Sequence, residues 1–169
     1  MRLLPNSVVS QSDIIVIRRA DPDGTDWQNF LALVLAAFAY MEDWIDPPSS
    51  AHRLTVDTIR TQSEDGIVLL AEAGAALVGC VFLTRRSDVM YLGKLAVETA
   101  RQGQGIGRQL FEVAADAARA EGYREIELQA RVELTENHVA FAAMGFRETG
   151  RTTHAGYDRP TSVTMRCVL

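Results

Sequence analysis

The sequence predicts an α/β (α+β) fold: one central, mostly antiparallel sheet of about seven strands, flanked by about four helices. Three observations carry this. The chain has 169 residues, enough for one hydrophobic core without disulfide or metal staples. Its hydrophobic period switches repeatedly between the strand and the helix value, in the order β-α-α-β-β-β-α-β-α-β-β. That order is one of strands that mostly follow one another directly, interrupted by a single parallel pair.

Residues 1–12 read as a flexible tail and 13–169 as the single domain. Ile14–Arg18 is the first strand, ended by the turn formers from Asp21 to Asp26. Asp26 is a suitable N-cap for a helix running to about Tyr40. Its run from Phe30 to Tyr40 is apolar nearly all round, which predicts a well-buried helix; it is far shorter than the ~20 residues that cross a bilayer. Pro47 and Pro48 prevent the helix from continuing, so Met41–Ser50 reads as an ordered loop before a short helix near Leu54–Gln62. Ile67–Glu72 and Ala76–Thr84 are strands joined tightly through Ala73, Gly74 and Ala75, and Val89–Val97 is a fourth. Leu110, Val113, Ala114 and Ala117 share one face of a helix from about Ile106 to Glu121, stopped by Gly122. Glu125–Ala130 alternates as a strand does. A helix near Glu136–Met144 and strands near Phe146–Thr152 and Thr161–Val168 complete the chain.

The formal net charge is −5, which argues against a phosphate-tracking nucleic-acid surface and leaves room for an amine partner. The two cysteines, Cys80 and Cys167, stand in apolar runs without metal or CxxC spacing, as buried thiols of a reduced compartment do. The opening residues lack the continuous apolar run of a secretion signal, so the expected location is cytoplasmic, with no membrane partner. His52, His138 and His154 show no metal-ligand spacing, and no metal is expected. Nothing in the sequence suggests a covalent acyl-enzyme.

The chemistry concentrates after the fourth strand, where Gly103, Gly105 and Gly107 alternate in a polar turn that opens a helix. Without Cβ atoms the backbone can curl tightly and approach a ligand. Successive N–H groups then converge at the positive end of the helix, an arrangement suited to a pyrophosphate. A Walker A loop would need Lys-Ser/Thr after its last glycine, and here Arg108 and Gln109 follow. A dinucleotide fingerprint needs GxGxxG at the first strand of a repeated βαβ array; here the spacing is GxGxG. A purely structural turn rarely needs three glycines in five residues.

Gln102-Gly103-Gln104-Gly105-Ile106-Gly107 resembles the Gln/Arg-x-x-Gly-x-Gly/Ala motif of the GCN5-related N-acetyltransferases, and Leu95-Ala96-Val97 resembles that family's fourth strand. The likeness implies an acetyl-CoA-dependent N-acetyltransferase that joins acetyl to a primary amine by direct attack in a ternary complex. It implies that main-chain amides from Gln102 to Arg108 hold the coenzyme A pyrophosphate. Leu95 would meet the thioester carbonyl, and Val97 would bond the pantetheine arm as an added strand. Thr99 stands where the family often has proline. Glu136–Phe146 resembles a second family block: Asn137 would either bond the pantetheine region or cap its helix. Phe141 takes the place of a tyrosine thought to protonate the leaving thiolate, and phenylalanine has no proton to give.

Candidate replacements are His154 and Tyr157, in the loop between the last two strands, and Tyr91, at a position where some members carry a base-like glutamate. Tyr40, Glu42, Asp43 and Trp44 fall where the family lines its acceptor pocket, and their carboxylates would attract a cation. The acceptor is a small-molecule or peptide amine, and a homodimer is compatible with the likeness. The departure at Phe141 keeps a second reading open, a non-catalytic acyl-CoA sensor.

Overall fold

A computed structural model describes residues 14–169; the tail expected at residues 1–12 lies outside them. The elements are β1 (Ile15–Arg19), α1 (Trp27–Phe38), α2 (Val56–Asp65), β2 (Ile67–Ala73), β3 (Ala76–Arg85), β4 (Met90–Val97), α3 (Ile106–Ala120), β5 (Glu125–Arg131), α4 (Thr135–Ala143), β6 (Arg147–Thr152) and β7 (Ser162–Val168). Their order is the expected one. The seven strands form one sheet in the order β1-β2-β3-β4-β5-β7-β6. Every join is antiparallel except β4–β5, because α3 carries the chain back before β5 begins.

Both faces of the sheet are covered. On one, Val81, Leu83, Met90 and Leu92 pack with Ile106, Leu110 and Ala114 of α3. On the other, Val68, Leu70, Phe82 and Ala96 meet Trp27, Phe30 and Val34 of α1 and Ile59 of α2. Phe30 holds this second layer together, its ring edge-on to Trp27 at 5.3 Å and to Phe82 at 5.4 Å. Cys80 and Cys167 are buried free thiols. Burial pushes both thiol pKa values up, which makes them inert rather than nucleophilic.

The all-round burial expected of α1 does not hold. Its buried positions are Trp27, Phe30, Val34 and Ala37, a helical stripe, whereas Leu35 is 39% exposed and Ala32 and Ala36 face outward. The helix has the sheet beneath it and α2 beside it, and no layer above it among the described residues. Its apolar outer side consists largely of alanine, which a helix favours for backbone reasons alone.

α2 begins two residues later than the sequence suggests. Leu54 ends a 3₁₀ turn over Ser50–Arg53, and Thr55 caps the helix. Its Oγ1 accepts from the Thr58 amide at 3.2 Å, and the Thr58 hydroxyl accepts from the Thr55 amide at 2.9 Å. Thr55→Ala removes this reciprocal cap, and urea denaturation should show a loss of about 1 kcal/mol.

Candidate active site

β4 and β5 pair only at Met90–Ile126 and Tyr91–Glu127, although β4 continues to Val97 and β5 to Arg131. The cause lies on the β3 side of β4. Cys80 pairs with Ala96 and Phe82 with Gly93, so Val81 alone faces both Lys94 and Leu95. Lys94 absorbs this bulge in the left-handed region, at φ 50°. A bulge bends and twists its strand, and here β4 turns away while β5 stays paired with β7 along its whole length. Among the described residues, β4 beyond Tyr91 pairs with β3 on one edge and with no strand on the other. Such an edge accepts an extended ligand as an added strand.

From this unpaired edge the chain runs on into the glycine turn. Gly103 and Gly105 have φ of 79° and 83°, conformations that disfavour any residue with a Cβ, and Gly105 is the N-cap of α3. The Gln102 amide, expected to be part of the cradle, donates to the Thr99 carbonyl at 3.4 Å, and the next amide with a main-chain acceptor is that of Gln109, on Gly105 at 3.0 Å. Among the described residues, the amides from Gly103 to Arg108 have none. They form an open nest at a helix N-terminus, which fits a pyrophosphate. Ile106 contributes its amide alone, since its side chain is buried in the core. Arg101 is ion-paired with Glu98 at 3.4 Å, and Arg108 donates to the Ala143 carbonyl at 2.8 Å, tying α3 to α4. The Val97 carbonyl accepts from the Gln102 side chain at 3.2 Å, so an incoming strand partner would have to displace that amide or bond elsewhere on β4. Leu95 packs against the α3-side core and Ala96 is buried on the α1 side.

On α4, Phe141 packs edge-on to Phe146 at 5.9 Å. Asn137 does not cap the helix. Leu134 occupies the N-cap position without a side-chain bond, and the Asn137 amide instead donates to the Tyr40 hydroxyl at 3.2 Å. This bond joins the end of α1 to α4. Of the other residues expected on the acceptor side, Glu42 pairs with His52 at 3.0 Å, Asp43 is exposed, and Trp44 is 70% exposed.

The β6–β7 loop is latched to the loop before α2. The Tyr157 hydroxyl donates to Asp46 at 2.5 Å, and Arg159 reaches Asp46 at 3.8 Å and Glu133 at 3.5 Å. The Asp46 carboxylate holds the Tyr157 phenol pKa above its ordinary value, chiefly through this hydrogen bond. His154 is exposed, with Nδ1 on the Thr161 hydroxyl at 2.5 Å. Both side chains are thus engaged in holding the hairpin loop.

Tyr91 is placed differently. It is the last paired residue of β4, and its hydroxyl lies against the Gln129 main chain of β5, at the point where the strands part. Burial is the main cause that raises its phenol pKa, with the Arg86 guanidinium opposing; Arg86 stacks on the ring at 3.7 Å. The hydroxyl therefore keeps its proton through neutral pH. Tyr91 also lines a groove of about 300 Å³ between β3–β4 and the start of α2, together with Phe82, Leu54, Arg53 and Lys94. Lys94 and Arg53 were not evident from sequence. The available signal was Gly93-Lys94, a glycine and a lone cation inside an otherwise apolar strand, the mark of a bulge. No helix among the described residues is long and apolar enough to cross a membrane, and no group of three or more metal-ligating side chains is assembled among them.

The sequence pattern described as the acetyltransferase (GNAT) family matches residues 33–146, more than half of the chain. An aminoglycoside N(6')-acetyltransferase type 1 from Stenotrophomonas maltophilia is 37% identical over 71 residues, covering 42% of this chain and 46% of that protein. The chain spans about half the length of the curated relatives it matches. The ribosomal-protein-S18-alanine N-acetyltransferase of Escherichia coli superposes with a TM-score of 0.71 at 19% identity, covering 92% of this chain and 94% of that one. A GNAT family acetyltransferase from Elizabethkingia anophelis with acetyl-CoA bound gives 0.65 at 20%, covering 92% and 98%. Similarity at that level of identity speaks for the shared fold.

Proposed function

Because the chain belongs to the acetyltransferase (GNAT) family, we propose that it is an acetyl-CoA-dependent N-acetyltransferase acting on a primary amine by direct attack in a ternary complex. The observation that carries the proposal is the splay between β4 and β5, which ends at the open amides from Gly103 to Arg108. When bound, acetyl-CoA supplies an acyl thioester, which reacts with a neutral amine to give an amide and the free thiol. Amides of the nest would hold the pyrophosphate, with Gln102 and Arg108 at its edges. The freed edge of β4, from Leu95 through Ala96 to Val97, would line the pantetheine arm, with Asn137 and Phe141 opposite on α4. A main-chain N–H of the bulge at Leu95 would meet the carbonyl as charge develops on it.

The reaction removes one proton from the amine and delivers one to the thiolate. Phe141 cannot deliver it. Tyr91 is the best placed of the three candidates, since it stands where β4 and β5 part and its phenol is protonated through neutral pH. His154 and Tyr157 support the mouth of the site through the latched loop. Tyr91→Phe is expected to lower kcat about 30-fold with the acetyl-CoA Kd unchanged. A fully engaged acid gives ~100-fold or more, and positioning supplies much of the remaining rate. An unchanged kcat would remove Tyr91 from proton transfer.

The same reading takes residues 13–169 as one acyltransferase domain in a cytoplasmic protein with no nucleic-acid or membrane partner, compatible with a homodimer. Phe141 favours one competing reading, a non-catalytic acyl-CoA sensor. Thiol release from acetyl-CoA across a broad amine panel separates the two. Release above background is expected; tight cofactor binding with no release across the panel would establish the sensor.

A further inference from the structure

We propose that the groove beside the β4 bulge holds a carboxylate of the acceptor between Lys94 and Arg53, so that the acceptor is of the amino-acid class rather than a polyamine or aminoglycoside. This rests on the acetyl-transfer reading and names the acceptor class for the same site.

The charge pattern is the first ground. The chain has 22 acidic and 17 basic residues, and many of its arginines are spent on carboxylates, among them Arg18, Arg60, Arg85, Arg86, Arg159 and Arg166. Against that background no carboxylate of the described residues lines the groove. Among the described residues, Arg53 has no carboxylate partner and the Lys94 ammonium meets only the Ser50 hydroxyl, at 2.7 Å. The two cations feel each other: burial first, and then the Arg53 charge, lower the Lys94 pKa. Two like charges beside a half-buried surface repel, and an anion between them turns that repulsion into two attractive contacts.

Position is the second ground. Lys94 precedes Leu95, the residue expected to face the thioester carbonyl, so a carboxylate on Lys94 would keep an adjacent α-amine within reach of the acyl carbon. Phe82, Leu54 and the Tyr91 ring offer an apolar wall for an uncharged side chain. The acidic groups that would recruit a polycation lie off the groove: Glu42 is paired with His52, and neither it nor Asp43 is part of the lining.

The test compares leucine with 3-methylbutylamine, the same skeleton without the carboxylate, and with spermidine, by thiol release from acetyl-CoA. Leucine should be favoured over 3-methylbutylamine about 10- to 100-fold in kcat/KM, the range for a hydrogen bond to a charged group. Arg53→Met and Lys94→Met should each move that ratio toward one, mainly through the KM for leucine, and Arg53→Lys should restore most of it. Calorimetry with N-acetyl-leucine gives a readout independent of turnover, and binding should weaken in both methionine variants. A preference for 3-methylbutylamine or spermidine would overturn the inference while leaving acetyl transfer intact, as would a ratio or an N-acetyl-leucine affinity that neither variant moves. No release with any amine, combined with N-acetyl-leucine binding that both variants weaken, would support the carboxylate site and reject acetyl transfer.

Discussion

Gly105→Glu is expected to lower acetyl-CoA affinity by about 1000-fold, or roughly 4 kcal/mol. Gly105 is the N-cap of α3 at φ 83°, and a Cβ there would meet nothing within 4 Å. Within the protein itself the residue is therefore glycine for its backbone angle and not for lack of space. A side chain costs about 1–2 kcal/mol of left-handed strain. A carboxylate adds a competitor for the free amides of the nest and a charge that repels phosphate. Gly105→Ala separates the contributions: it carries the strain without the charge and should retain most of the affinity. Calorimetry measures both variants, and urea denaturation confirms that each is folded. Unchanged affinity in a folded Gly105→Glu protein would move the phosphate site elsewhere.

Phe30→Ala should destabilise the protein by about 4 kcal/mol. Phe30 has 0% exposure and packs edge-on to both Trp27 and Phe82. Removing its ring leaves a cavity under α1 that neither the sheet nor α2 can close. Phe82 also lines the groove beside Lys94, so acceptor KM should rise in whatever fraction remains folded. The nest opens α3, which packs on the opposite face of the sheet from Phe30, so acetyl-CoA affinity per folded molecule should be preserved. A loss below about 1 kcal/mol in urea denaturation would mean that the α1 layer repacks, as adaptable cores do.

Much of the architecture was legible because its determinants are local. Asp26 caps α1 as expected, its carboxylate accepting from the Asn29 amide at 3.1 Å, since a cap is a contact three residues long. Leu54 suits a helix by pattern, whereas the reciprocal Thr55–Thr58 bonds decide that α2 begins at Val56. α1 buries one stripe rather than its whole surface, since apolar residues on every side do not reveal how many neighbours exist to cover them. Asn137 illustrates the same limit: its position suggested a cap, and its partner is Tyr40, 97 residues away.

The candidate site divides along that line. The sequence by itself determined the element order and the glycine turn, because periodicity and left-handed backbone angles depend on residues a few positions apart. Only the tertiary structure brought Tyr91 to Gln129, Tyr157 to Asp46, and Lys94 to the turn holding Ser50 and Arg53. Those meetings depend on a bulge that turns β4 away from β5 and on helices laid across the sheet, so no local pattern encodes them. The turn marks where a cofactor would lie, while the charge that would select the acceptor comes from side chains that only the folded sheet sets side by side.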